Sequence, residues 1–257
     1  MASDPLSLSG RTCLITGASS GLGAHFARIV STAGARVVLA ARRLERIAAL
    51  ADDLRAKGMQ ALAVAMDVTD EASVLSAFDA AEAEFGTIDT VIANAGVSAP
   101  GRSIDVSSDS LRGLMETNVL GIMLTAREGA RRMIEAGSRD SGKGRILLVG
   151  SMGAIASIPG ETFYCASKAA VASMGRNLAR EWVRLGINVN VIQPGFILTE
   201  MAADWFASEG GKAQIAGFNR RRLQDIASLD STVLLLLSDA AEALTGSVIT
   251  IDDGQSL

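Results

Sequence analysis

Tyr164 and Lys168, in the run Tyr164-Cys165-Ala166-Ser167-Lys168, stand four residues apart, so on a helix they share one face. Tyrosine is a poor acid-base group at its ordinary pKa of about 10, but a nearby ammonium stabilises the phenolate and lowers that value. Ser151 closes a strand-like run thirteen residues upstream, at the carboxyl edge of the expected sheet, where open α/β folds bind ligands. A hydroxyl there holds a carbonyl oxygen beside the phenol. The three side chains read as acid-base chemistry at such an oxygen, with the lysine as the tuning group.

A second constellation reads as a phosphate cradle. Thr16-Gly17-Ala18-Ser19-Ser20-Gly21-Leu22-Gly23 follows the first apolar run and opens a helical pattern, with spacing G-x-x-x-G-x-G rather than the general G-x-G-x-x-G. Backbone approaches a ligand closely at such a turn, and the helix behind it presents unpaired N–H groups and a positive dipole end, which suits a pyrophosphate. The next strand ends at Ala41, where an acidic residue would bind the adenosine ribose of NAD; Arg42 and Arg43 follow instead. A guanidinium fork matches a 2′-phosphate, so the reading favours NADP over NAD. Asp67 reads equally as an acceptor for the adenine amino group, with Val68 supplying backbone, and as the cap of a helix beginning near residue 70.

These groups need a scaffold, and the composition supports one. The 257 residues are 49% hydrophobic and 20% charged, which suits a single globular α/β domain spanning 1–257. A net charge of -4 without charge runs indicates neither a nucleic-acid footprint nor a polybasic membrane surface. One histidine, His25, and two cysteines, Cys13 and Cys165, exclude a multi-histidine metal site and a disulfide framework. His25 reads as a packing or surface residue. The reduced cysteine usage, together with a start lacking a basic stretch and long apolar block, leads to the expectation of a cytoplasmic, membrane-free protein.

Short β-branched runs at 11–16, 36–41, 61–65, 90–93, 145–149, 187–192 and 247–251 alternate with helical patterns. That rhythm predicts a Rossmann-like, doubly wound parallel sheet of about seven strands with helices on both faces. Residues 107–136 and 162–185 read as helices, and the polar segment 137–144 as a surface loop. Residues 196–225 carry Met201, Trp205, Phe206 and Phe218 without a strand pattern. They form either a substrate-covering segment or a helix packing its apolar face on the domain.

From about Arg11 to Gly254 the chain resembles the short-chain dehydrogenases/reductases. Thr16 to Gly23 looks like the family's cofactor loop, Asn94-Ala95-Gly96 like the segment after its fourth strand, and Asn118 like its helix asparagine. Ser151, Tyr164 and Lys168 look like its catalytic residues, and Pro194-Gly195 with Ile197 and Thr199 is similar to its nicotinamide-side loop. The resemblance implies hydride transfer between a nicotinamide and a carbonyl carbon, with Tyr164 as proton donor or acceptor. Lys168 would hold the ribose hydroxyls and depress the tyrosine pKa, Ser151 would orient the substrate oxygen, and Asn118 would help position a water. It also implies no metal and a homotetramer or homodimer. Ala93, where many members have asparagine, and Asp253, where glycine is common, depart from the family pattern.

The wall of Met152, Ile155, Ile158 and Phe163 and the segment at 196–225 suit a hydrophobic carbonyl or secondary alcohol. A 3-oxoacyl-[acyl-carrier-protein] reductase is the alternative, in which Arg220-Arg221-Arg222 either meet an acidic carrier or form a solvated face. A non-catalytic NADP sensor would not need the full Ser-Tyr-Lys set.

Overall fold

The computed structural model describes residues 4–257; residues 1–3 of the expected domain lie outside the described residues. Its elements run β1 (Thr12–Thr16), α1 (Gly21–Thr32), β2 (Arg36–Ala41), α2 (Leu44–Ala56), β3 (Ala61–Ala65), α3 (Glu71–Phe85) and β4 (Thr90–Ala93). Then follow α4 (Ser108–Met115), a π-turn (Glu116–Gly121), α5 (Ile122–Glu135), α6 (Ser138–Ser141), β5 (Gly144–Val149) and α7 (Thr162–Trp182). The chain closes with β6 (Ile187–Pro194), α8 (Ala203–Ala207), α9 (Glu209–Gly217), α10 (Asp230–Leu237) and β7 (Val248–Ile251).

Among the described residues the strands form one seven-stranded parallel sheet in the order β3-β2-β1-β4-β5-β6-β7. Central strands buried on both faces are largely apolar, which is why most of these runs lack a polar alternation, β6 with its buried asparagines excepted. Successive side chains point to opposite faces: Cys13 and Ile15 join Phe26, Ile47 and Val233 in one core layer under α1, α2 and α10. Leu14 joins Phe78, Ile122 and Val171 in the other, under α3, α5 and α7. His25 ties α1 to α10 through Asp230, with Nε2 2.6 Å from Oδ1, in keeping with a packing role.

The strand order reverses at β1, whose neighbours are β2 and β4. The connections leaving the two strands depart to opposite sides, so a crevice opens at their carboxyl ends. Helix α3 is capped by Asp70, whose carboxylate accepts from the Ala72 N–H at 3.0 Å. Asp67 instead accepts from the Thr69 N–H and hydroxyl, so the capping reading of Asp67 passes to Asp70. The expected helix over 107–136 forms, but with the π-turn in its middle, at Asn118.

Segment 137–144 departs from a plain surface loop. It contains the turn α6, and Ser138 is buried, its hydroxyl donating to the Leu185 carbonyl at 2.6 Å. The polar side chains of β6 have a similar cause. Asn188 donates to the Ala241 and Glu242 carbonyls, while Asn190 donates to the Leu244 carbonyl at 2.8 Å and accepts from the Ser247 N–H at 3.0 Å. They fasten the 239–247 connection to the sheet and so set the register of β7.

Removing a buried side chain that satisfies two backbone groups leaves both unpaired, at about 1–3 kcal/mol each. Asn190→Ala is therefore expected to lower the unfolding free energy by about 3 kcal/mol, read from the midpoint of a urea transition. A loss no greater than that of a surface substitution would contradict this role.

Candidate active site

The crevice begins where β1 ends. At Gly17 the chain turns with φ +67°, and a Cβ there would lie 2.9 Å from both the Ala95 Cα and the Asn94 Nδ2. Only glycine meets both conditions. A Cβ on Gly23 would collide with the Gly17 carbonyl oxygen, so α1 packs directly on the turn. The Asn94 amide donates to the Thr16 carbonyl at 2.9 Å, and the Thr16 hydroxyl accepts from the Asn94 and Ala95 N–H groups at 3.0 and 3.1 Å. This clamp joins the carboxyl ends of β1 and β4. Ser20, at the start of α1, makes no side-chain capping bond, which leaves the first-turn N–H groups available to an anion.

Across the crevice, β5 delivers Ser151 and α7 delivers Tyr164 and Lys168 on one face. The Ser151 hydroxyl accepts from the Gly153 N–H at 3.1 Å. Lys168 is only 4% exposed; its Nζ donates to the Val149 carbonyl at 3.0 Å and lies 5.6 Å from the centroid of the Tyr164 ring. Gly96 brings the strand-four segment onto the same group, since a Cβ there would sit 3.5 Å from Lys168 Nζ and 3.4 Å from Asn118 Oδ1. Asn118 is fully buried, with Oδ1 accepting from the Val97 N–H at 2.8 Å and Nδ2 donating to the Val97 carbonyl and the Ser167 hydroxyl. Both donors of its amide are thereby committed to the protein.

Burial decides the electrostatics. Desolvation pushes the Lys168 ammonium down to about 8. It also raises the Tyr164 phenol above its ordinary value, with a hydrogen bond from the Ser151 hydroxyl opposing the shift and the Glu161 charge adding to it. In the protein alone the net direction is upward, burial and the Glu161 charge outweighing the Ser151 hydrogen bond. Glu161 is itself raised by burial, its carboxylate accepting from the Ser98 hydroxyl.

The remaining residues fall into two groups. Arg43 reaches the glycine turn, donating from Nε to the Ser19 hydroxyl at 3.1 Å and from Nη2 to the Ser20 hydroxyl at 2.8 Å. Arg42 is exposed and acts on Asp67 by charge alone, helping the Thr69 N–H hold that carboxyl low. Leu22 packs on the core layer beneath α1, while buried Val68 packs on Gly121 of the π-turn. Pro194 ends β6, Ile197 bridges to Gln224, and Thr199 lies against Gly21, 3.5 Å from where a Cβ would stand.

Two glutamines that the sequence did not single out hold this last loop. Gln224 accepts from the Gly195 N–H at 2.9 Å, and Gln255 accepts from the Phe196 N–H at 2.6 Å. No spacing signal marks them, because their partners lie 29 and 59 residues away. Asp253 has φ +56°, which explains why glycine suits that position, and its carboxylate pairs with Arg220 and Arg222.

In the segment at 196–225, Phe206 and Phe218 pack on Phe196, edge-on and stacked respectively. Trp205 is 53% exposed but lies over Gly210 and donates to Gln214. These aromatics hold the segment together, leaving Met201, 59% exposed, as its free apolar side chain among those expected to face a substrate.

The residues fit a nicotinamide dinucleotide. The glycine turn admits backbone contact and would be filled by side-chain carbons, Arg43 faces an anion position, and Lys168 is a buried cation whose one protein acceptor leaves donors for a diol. No three histidine, cysteine, aspartate or glutamate side chains converge to hold a metal ion among the described residues. No helix there is long and apolar enough to cross a membrane.

Comparison with known proteins agrees with this geometry. A family model described as short chain dehydrogenase matches residues 11–210. The chain is 35% identical over 258 residues to the oxidoreductase UcpA of Escherichia coli K12, covering 97% of this chain and 96% of that protein. It is 33% identical over 250 residues to a D-threitol dehydrogenase of Mycolicibacterium smegmatis, covering 97% and 94%. The crystal structure of a gluconate 5-dehydrogenase from Burkholderia cenocepacia in complex with NADP and tartrate superposes with a TM-score of 0.91 at 30% identity, covering 98% of this chain and 97% of that one.

The buried lysine has a consequence for stability. Its charged form is penalised in the folded state, so between pH 8 and 10.5 the unfolded chain binds more protons and stability rises with pH. Below that window the penalty is on the order of 3 kcal/mol. Lys168→Met is expected to be more stable than the parent in urea at pH 7 and to lose that advantage by pH 10. A stability difference that does not change with pH would show that the ammonium is not desolvated.

Proposed function

The chain belongs to the short-chain dehydrogenase/reductase family, and from that premise we propose that it is an NADPH-dependent oxidoreductase interconverting a carbonyl and a secondary alcohol. The carrying observation is the buried Lys168 ammonium beside the Tyr164 ring, at the sheet edge that also bears Ser151 and the glycine turn. Bound NADPH supplies the hydride. Ser151 holds the substrate oxygen by hydrogen bond, and the Tyr164 hydroxyl gives it a proton. A phenol raised by burial stays protonated at neutral pH, which suits reduction; oxidation needs the phenolate and speeds up as pH rises. Lys168 binds the ribose hydroxyls, and Asn118 keeps the Val97 loop and Ser167 in place behind it.

On the cofactor face, residues 17 and 19–23 with Asn94, Ala95 and Gly96 receive the pyrophosphate and nicotinamide ribose, Asp67 and Val68 border the adenine, and Arg42 and Arg43 take the 2′-phosphate. Pro194, Gly195, Ile197 and Thr199 close over the nicotinamide. The NADP complex of a similar dehydrogenase supports this choice. Residues 196–225 cover the substrate, which is hydrophobic: Ile155, Phe163 and Met201 are exposed apolar side chains on elements bordering the crevice. The acyl-carrier reading is weaker, because Arg220 and Arg222 are already paired with Asp253. A sensor without turnover would leave buried Ser151 and Lys168 beside Tyr164 unexplained. We assign the protein to the cytoplasm as a homotetramer.

Loss of a positioned proton donor lowers a rate by about 10²–10⁴. Tyr164→Phe should show that loss in NADPH absorbance assays over a panel of aromatic ketones, acyl thioesters, steroids and sugars, with NADPH affinity nearly retained. Equal rates for parent and variant on the best substrate would remove Tyr164 from the chemistry.

A further inference from the structure

Resting on the cofactor reading above, we infer that Glu200 is a cofactor-specificity residue whose carboxylate competes with the 2′-phosphate for Arg43 and Arg46. Arg43 has its Nε and Nη2 on Ser19 and Ser20, and its outward Nη1 points to both Glu200 oxygens at 3.2 and 3.3 Å. Arg46 Nη1 meets the same two oxygens at 3.0 and 2.8 Å. Glu200 comes from the loop after β6, 157 residues from Arg43 in sequence, and follows Thr199, which lies against Gly21 of the turn. The protein thus places an anion of its own between the glycine turn and the start of α2, where the reading above puts the phosphate.

Charge and exposure say how the exchange runs. The two arginines hold the Glu200 carboxyl below its usual range, but the side chains of Arg43, Arg46 and Glu200 are 41%, 47% and 50% exposed, so the pairs are weak and replaceable. A phosphate monoester carries more charge and three acceptor oxygens, so it wins the guanidinium groups. It must still displace Glu200 and then tolerate a carboxylate close by. The uncharged ribose of NADH offers no competing anion and meets no such opposition. Glu200 therefore weakens the phosphorylated cofactor selectively, making the NADPH preference smaller than the arginines alone would set.

The test is a set of fluorescence titrations with NADPH and NADH, and with adenosine 2′,5′-bisphosphate and adenosine 5′-monophosphate as probes lacking the nicotinamide. Glu200→Gln should tighten NADPH and the bisphosphate about fivefold, the scale of one exposed ion pair, and leave the other two within about twofold. The gain should vanish when Arg43 and Arg46 are both replaced by alanine. Unchanged NADPH binding in Glu200→Gln, or equal tightening of all four ligands, overturns the inference. Arg43→Ala separates this from the underlying reading: an unaltered NADPH-to-NADH affinity ratio would reject the cofactor assignment itself. Loss of that ratio alongside a silent Glu200→Gln would reject the role of Glu200 alone.

Discussion

A lysine ammonium buried with a single backbone acceptor is the constraint around which the centre is built. Lys168 gives up water for the Val149 carbonyl, and the folded chain bears the desolvation. The surroundings follow from that position. Gly96 lies within van der Waals reach of the ammonium and Asn118, and Asn118 reaches the Val97 loop from a π-turn that interrupts an otherwise regular helix. Desolvated ionisable groups of this kind cluster at functional sites. The result is a cation at the floor of a crevice, beside the Tyr164 ring.

The crevice itself is a product of topology. Because β1 lies between β2 and β4, the glycine turn and the Asn94 segment leave the sheet side by side. The Thr16–Asn94 clamp then keeps their separation fixed. The Ser151 and Tyr164 side arrives through β5 and α7, which pack on the same core layer as β4. Groups from four parts of the chain therefore meet on rigid elements, while the loop after β6 crosses above them on the two glutamines Gln224 and Gln255. Glu200 ties that loop to the arginines at the other end of the crevice, so the cofactor and substrate sides share one surface ion cluster.

Much of the site was legible because its signals are local. A Tyr-Lys pair four apart declares a helix face, a glycine cluster between a strand and a helix declares a close-approach turn, and paired arginines after a strand declare an anion. What resisted reading depends on partners far away in sequence. Arg43 rather than Arg42 reaches the turn because of how α2 begins. The phenylalanines of the 196–225 segment pack on one another, and the polar stretch at 137–144 docks a buried serine on the turn that follows α7. The upward direction of the tyrosine shift has the same origin, since sequence shows the lysine next door but not how the packed chain removes the phenol from water.

Sequence alone determined the alternation of elements, the parallel sheet, the glycine turn between strand and helix and the shared helix face of Tyr164 and Lys168, because hydrophobic period, turn chemistry and helical spacing act over a few residues. Only the tertiary structure decided which arginine reaches the glycine turn, that Glu200 pairs with it, how the loops are held and in which direction burial shifts the ionisable groups. Those properties are set by desolvation and by contacts between distant segments, and both exist only once the chain has packed.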